Sequence, residues 1–208
     1  TSHIQPKDMK ELIISPNSSF EWLIKKIENE IDFAKKNLPS GIWIKCNAIV
    51  DSKLIEKLYE ASNAGVKINL FVRGICCLKP NVKGLSENII VKSIIGRFLE
   101  HGRIYVFANG GEFQSIKNDV YISSADMMPR NLYTRVEAYV PLKNETVRSQ
   151  ILTQVIPALI NDTKNSWLLE QTGEYVKLED KINFCSHSYF MENPSLSGQG
   201  TLSKFKTA

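Results

Sequence analysis

The sequence predicts an α/β domain: a mixed, largely parallel sheet flanked by helices. Apolar residues at helical spacing alternate with short runs rich in Ile and Val. A strand–helix–strand unit with short connections stands near the start, the mark of a parallel βαβ unit. The 208 residues are 43% hydrophobic and 23% charged. That is ordinary globular usage, enough for a buried core and unlike a disordered chain or a fibre.

A helix is expected within 16–41. Ser18 with Glu21 has capping-box spacing, and Phe20, Leu23, Ile24, Ile27 and Ile31 share one face of a 3.6-residue period. Pro39 and Gly41 close it. A strand follows from Ile42 to Val50. Asp51 caps a second helix carrying Leu54, Ile55, Leu58 and Tyr59, stopped by Gly65, and Val66–Val72 is the next strand. Residues 74–84 read as a loop, and Ile89–Ser93, Ile104–Phe107, Val120–Ser123 and Val136–Val140 as strands. Asn109-Gly110-Gly111 turns the chain, so that Val120–Ser123 returns antiparallel. A last helix is expected over 144–162 with a kink at Pro157. After Leu169 the pattern decays. The division is therefore one domain over 1–177 and a loosely ordered tail over 178–208.

With 26 Lys and Arg against 22 Asp and Glu the net charge is +4. Such a mild excess suits an anionic ligand and by itself gives no case for nucleic acid. No run approaches the ~18 apolar residues of a membrane span, and Thr1-Ser2-His3 is not expected to be a leader. Without an initial Met, the chain is expected to be a piece of something longer. Cys46, Cys76, Cys77 and Cys185 form no C-x-x-C pair and do not cluster with His3, His101 or His187, so no metal site is expected. Free thiols fit a reducing cytoplasm.

Four clusters carry chemistry. Arg97-Phe98-Leu99-Glu100-His101-Gly102-Arg103 puts an imidazole and two guanidinium groups before an apolar strand, where a proton can be exchanged near neutrality and phosphate held by forked hydrogen bonds. Spacing alone is equally met by a structural histidine among solvated arginines. Ser123-Ser124-Ala125-Asp126, followed by Arg130 and Asn131, suits a helix start facing an anion, or an ordinary cap. Lys45 and Asn47 share one face of the first strand. Arg73-Gly74 follows an apolar strand, where open α/β sheets bind ligands, beyond the carboxyl ends. The recurring arrangement, a strand end and then a cationic or hydroxyl group, points to an oligoanion. No dinucleotide fingerprint, P-loop or nucleophile elbow occurs.

Several longer segments carry a resemblance. Val72-Arg73-Gly74-Ile75-Cys76-Cys77-Leu78, Gly84-Leu85-Ser86-Glu87-Asn88-Ile89 and Gly96-Arg97-Phe98-Leu99-Glu100-His101 occur in order. Ser123-Ser124-Ala125-Asp126, Pro129-Arg130-Asn131 and Asn193-Pro194-Ser195-Leu196-Ser197-Gly198 follow. Over about 10–200 the chain resembles the C-terminal, phospholipase-D-like catalytic domain of bacterial polyphosphate kinases. The resemblance implies reversible transfer of the ATP γ-phosphate to inorganic polyphosphate through a phosphohistidine carried by an upstream domain.

It further implies that His101 is the catalytic second histidine and that Arg73, His101 and Arg130 bind the nucleotide triphosphate. Lys45, Asn47, Arg97, Arg103 and Ser124 are candidates for further phosphate neighbours. Mg2+ with ATP, ADP and polyphosphate as ligands, the upstream domains as partners, a homo-oligomer and a cytoplasmic location (with membrane-peripheral association left open) are expected on the same ground, and nucleic acid is not. The isolated chain is expected to be inactive. The general phospholipase D signature is degenerate, with Arg103, Ala108 and Ser123-Ser124 at its positions, which weighs against a phosphodiesterase. A non-catalytic polyphosphate-binding module is the other alternative. Met127 replaces an expected tryptophan, and 113–118 reads as a small insertion that could reshape the mouth of the tunnel that, by the same resemblance, the family's last two domains enclose.

Overall fold

The structure is a computed structural model that describes residues 11–179 and 181–193. One nine-stranded sheet organises it, in the order β1-β7-β6-β5-β2-β3-β4-β8-β9. The strands are β1 (Ile13–Ser15), β2 (Gly41–Cys46), β3 (Lys67–Val72), β4 (Ile89–Ile94) and β5 (Arg103–Phe107). After them come β6 (Asp119–Ser123), β7 (Glu137–Pro141), β8 (Ser166–Leu169) and β9 (Tyr175–Lys177). The helices are α1 (Ser19–Lys35), α2 (Ser52–Asn63), α3 (Pro129–Tyr133), α4 (Glu145–Gln150), α5 (Ile156–Asn161) and α6 (Ser186–Glu192).

The mixed sheet is as expected, but parallel pairing is confined to β2–β3 and β3–β4, narrower than the largely parallel sheet predicted. Only the connections β2-α2-β3 and β3-loop-β4 carry the chain back to start a parallel neighbour. A hairpin such as β5–β6 must return antiparallel.

Central strands are covered on both faces, which explains their unbroken apolar runs. Ile42, Ile44, Tyr105 and Phe107 pack toward α1 and α2 with Leu23, Ile27, Leu54 and Leu58. Trp43, Phe71, Ile104 and Val106 pack on the opposite face with Leu152, Ile156 and Leu159. At one sheet edge the buried Glu30 accepts from Gly41 N at 2.9 Å and Asn109 N at 2.7 Å, tying α1 to the start of β2 and the turn after β5. Burial pushes its carboxyl up despite those two N–H groups.

Local signals held unevenly. Asp51 caps α2 through Leu54 N, and Gly65 (φ +97°) stands in the left-handed backbone that ends it. Ser18 instead turns its hydroxyl back to Ile14, so no side-chain cap forms on α1. The expected kink at Pro157 is replaced by a π-helical segment, Ile151–Val155, joining α4 to α5. A widened turn there makes room for the proline ring where proline has no N–H to donate to the helix.

The tail expected to be loose from 178 contains α6, docked beside α5, with Ser186 and His187 buried. His3 and residues 194–208 lie outside the described residues. Among the described residues no helix is long and apolar enough to cross a membrane.

Candidate functional site

Pairing brings the four clusters to one edge of the sheet. β2, β3 and β4 run parallel and finish there. β5 is antiparallel to β2 and begins there, and β6 finishes opposite its start, with Ser123 against Arg103. Residues scattered from 45 to 130 thus share an edge because strand direction decides which ends meet.

The loop 95–102 folds back over this edge and is held by side chains. Arg73 Nη1 donates to Glu100 O at 2.9 Å, and its Nη2 stands 3.4 Å from His101 Nε2. A guanidinium only donates, so Nε2 is the acceptor here and the ring proton belongs on Nδ1. Lys45 Nζ donates to Gly102 O at 3.1 Å and pairs with Glu100 Oε2 at 3.1 Å. His101 itself is exposed. An imidazole presented to solvent beside a guanidinium is accessible to an incoming phosphoryl group.

Arg103 has a different task. Its Nε and Nη2 donate to Asp126 at 3.1 and 2.9 Å, and its Nη1 donates to His101 O at 2.8 Å. Asp126 also accepts from Asn47 N at 2.7 Å and Asn47 Nδ2 at 3.3 Å. Burial would raise the Asp126 carboxyl, but the Arg103 guanidinium and the backbone N–H of Asn47 outweigh it and hold it below the usual carboxylate range. Arg103 and Asn47 therefore orient the edge, and the donors they use here are not directed at a phosphate. Ser124 is engaged likewise: its hydroxyl donates to Glu137, which also accepts from Asn131 Nδ2 at 2.6 Å.

Arg130 opens α3 at the same edge, exposed, and Arg97 is exposed on the loop. Among the described residues, Arg73, Arg97 and Arg130 have no carboxylate partner, whereas Lys45 and Arg103 do. The structure links Lys45, Arg73, His101 and Arg103 through the loop and brings Asn47 in through Asp126. It gives Arg130 a place on the edge without a contact to the others.

Three organising acids, Glu100, Asp126 and Glu137, were not assigned these roles from sequence. The signal for Asp126 was there: Arg103 enters a strand whose next four residues are buried, and a guanidinium in that position calls for a carboxylate. Glu100 and Glu137 carry no comparable signal. The 113–118 segment follows β5 and so lies at the opposite edge, stacking Phe113 on Trp43 at 4.5 Å; it does not shape this site. Met127 is fully buried behind it.

The cleft between Lys45, Arg73, Ile94 and Glu100 is small, about 20 Å³. A larger cavity, about 460 Å³, lies elsewhere, lined by Trp22, Lys25, Lys26, Tyr121 and Lys143. Its Lys26 and Lys143 are already paired with Asp119 and Glu11. An anion gains more at the edge where arginines stand unpaired. For Mg2+ the donor set does not fit: no group of three His, Cys, Asp or Glu converges among the described residues, and the edge carboxylates are engaged by cations and amides.

Fold and site define a mixed α/β domain with a basic strand-end edge suited to an oligoanion. Polyphosphate kinase C-terminal domain 2 is the family whose model matches residues 12–186, and the chain belongs to that family. The polyphosphate kinase of Erythrobacter litoralis is 50% identical over 201 residues, 96% of this chain and 28% of that protein. That of Synechocystis sp. is 43% identical over 177 residues, 85% of this chain and 24% of that protein. The crystal structure of polyphosphate kinase from Porphyromonas gingivalis superposes with a TM-score of 0.85 at 32% identity, over 91% of this chain and 28% of that one. The phospholipase D family member Nuc from Salmonella typhimurium gives 0.42 at 12% identity, over 63% of this chain and 80% of Nuc. The chain spans about a quarter of the length of the curated relatives it matches.

Proposed function

We propose that this chain forms the nucleotide-side wall of a polyphosphate kinase active site, and that the enzyme moves the ATP γ-phosphoryl reversibly to polyphosphate. The observation that carries the reading is the Arg73–His101 contact of 3.4 Å at the strand ends, on an edge with three arginines lacking carboxylate partners. In the first half-reaction an upstream histidine nitrogen bonds to the γ-phosphorus as the bond to the β,γ-bridging oxygen breaks, and ADP leaves. In the second, a terminal polyphosphate oxygen takes the phosphorus and the N–P bond breaks. Negative charge grows on the bridging oxygen, where the guanidinium groups of Arg73 and Arg130 stabilise it. His101 exchanges the proton near the leaving oxygen. The shallow cleft supports the reading of one wall, completed by another domain, so the 208-residue chain alone is expected not to turn over.

Binding is separable from turnover. Titrating the isolated chain with tripolyphosphate is expected to give 1:1 binding that weakens at least tenfold between ~0.05 and ~0.3 M salt, as partly exposed charge pairs do. Absence of binding at low salt, or binding indifferent to salt, contradicts the reading. Phosphate transfer from ATP by the isolated chain would show the other wall to be dispensable.

A further inference from the structure

The segment 96–99, just before His101, is short of backbone partners. Ile95 N donates to Asn165 O at 2.9 Å, but among the described residues the one backbone hydrogen bond of 96–99 runs from Phe98 N to His187 Nδ1 at 3.3 Å. His187 lies 89 residues downstream on α6, and only 1% of it is exposed. The Phe98 ring packs on the imidazole, centroids 5.4 Å apart. Gly96 passes so close that a Cβ there would come within 2.5 Å of His187 Nδ1 and 2.8 Å of Cε1. Only glycine lets the chain run against the ring.

The tautomer follows from the donor. Nδ1 accepts from an amide, so the ring proton is on Nε2. Among the described residues that buried nitrogen has no hydrogen-bond partner, and Glu100 Oε1 stands 3.7 Å from it. Glu100 is the residue whose other carboxylate oxygen holds Lys45 and whose carbonyl holds Arg73. His187 therefore holds the loop at Phe98, through the amide and the ring, with the Glu100 carboxylate 3.7 Å away on the other side of Leu99.

α6 is itself fastened. Ser186 N and Oγ both donate to Asp162 Oδ2 at 2.7 Å, and Asp162 is fully buried after α5. From the sheet, Lys92 Nζ donates to Leu159 O, Ile160 O and Asp162 O at 3.3, 2.6 and 3.0 Å. The chain of contacts thus runs from β4 through Asp162 and α6 to the loop that carries His101.

We propose that His187 is a positioning residue for the phosphate site: a buried imidazole that pegs the 96–100 loop and thereby sets His101 and the Arg73–Glu100 contact. The role deepens the kinase reading and rests on it for its consequence, though not for its geometry.

The test uses the 208-residue chain with two readouts, amide exchange of 96–100 and affinity for tripolyphosphate. His187→Leu removes the acceptor and is expected to speed exchange at Phe98 roughly tenfold, the equilibrium equivalent of one lost hydrogen bond. Tripolyphosphate binding weakens alongside, while protection of β2, β3 and β5 is unchanged. His187→Asn, whose amide oxygen stands near the place of Nδ1, restores most of both. Should His187→Leu fail to fold, Gly96→Ala crowds the loop against the ring while leaving every residue of α6 unsubstituted, and is expected to produce the same pattern. Loop exchange unaltered in these variants, or loss spread equally over the core strands, overturns the proposal. If the wild-type chain binds no tripolyphosphate, the kinase reading fails, and loop exchange alone still decides whether His187 is the peg.

Discussion

His101→Ala, introduced into a full-length polyphosphate kinase carrying this domain, is expected to lower phosphoryl transfer by roughly 10²–10⁴-fold, the range of a positioned acid–base group. Thermal stability is expected to stay within about 0.5 kcal/mol of the parent, as for surface substitutions away from structural features. The ring is exposed, and its contact with Arg73 Nη2 leaves that arginine its bond to Glu100 O. The pairing of the two results carries the prediction. A large loss of rate with an unmoved melting curve is what a chemical role gives; parallel losses belong to a structural histidine, and an unaffected rate removes His101 from the reaction.

The second large effect separates two kinds of arginine. Arg73→Ala and Arg130→Ala are each expected to cost roughly 2–4 kcal/mol of transition-state stabilisation, the effect of removing a preorganised donor. Arg130→Lys recovers only part of it, because a point charge does not reproduce a fork. Arg103→Ala is expected to behave differently. It strands Asp126, whose side chain is 7% exposed, and so costs about 3 kcal/mol of folding stability, as breaking a buried pair does. Unfolding by urea with activity measured in parallel checks both. Changes under tenfold in rate for both Arg73 and Arg130 would take them out of the site, and an unchanged stability in Arg103→Ala would contradict the structural role of its pair.

What the sequence made legible was what local physics decides. The apolar runs of β2, β3 and β5 reveal strands buried on both faces, Asp51 and Gly65 bracket α2, and strand-end positions mark the four clusters, within which the family resemblance singles out Arg73, His101 and Arg130. The parallel share of the sheet was overestimated because a strand pattern carries no direction, and β1, three residues long, is too short for a period. Longer-range effects left no local trace. Glu100 reads as one more charge in a charged loop, and its part in holding Arg73 and Lys45 exists only once the loop folds back. His187 sits in a polar stretch that resembles a tail. Its burial comes from Asp162, twenty-four residues away from its neighbour Ser186, and no periodicity announces such docking. Arg103 was read as a phosphate neighbour because charge alone does not reveal a partner; Asp126 supplies it.

The claim on which the account rests is that Arg73, His101 and Arg130 serve one triphosphate at the shared ends of the central strands. A crystal structure of the chain grown with tripolyphosphate at low salt tests it most directly. The account predicts the anion at that edge, with Arg73 and Arg130 both donating to its oxygens and the His101 ring beside a terminal phosphorus. Tripolyphosphate seated instead among Lys25, Lys26 and Lys143, with the strand-end arginines untouched, would contradict it.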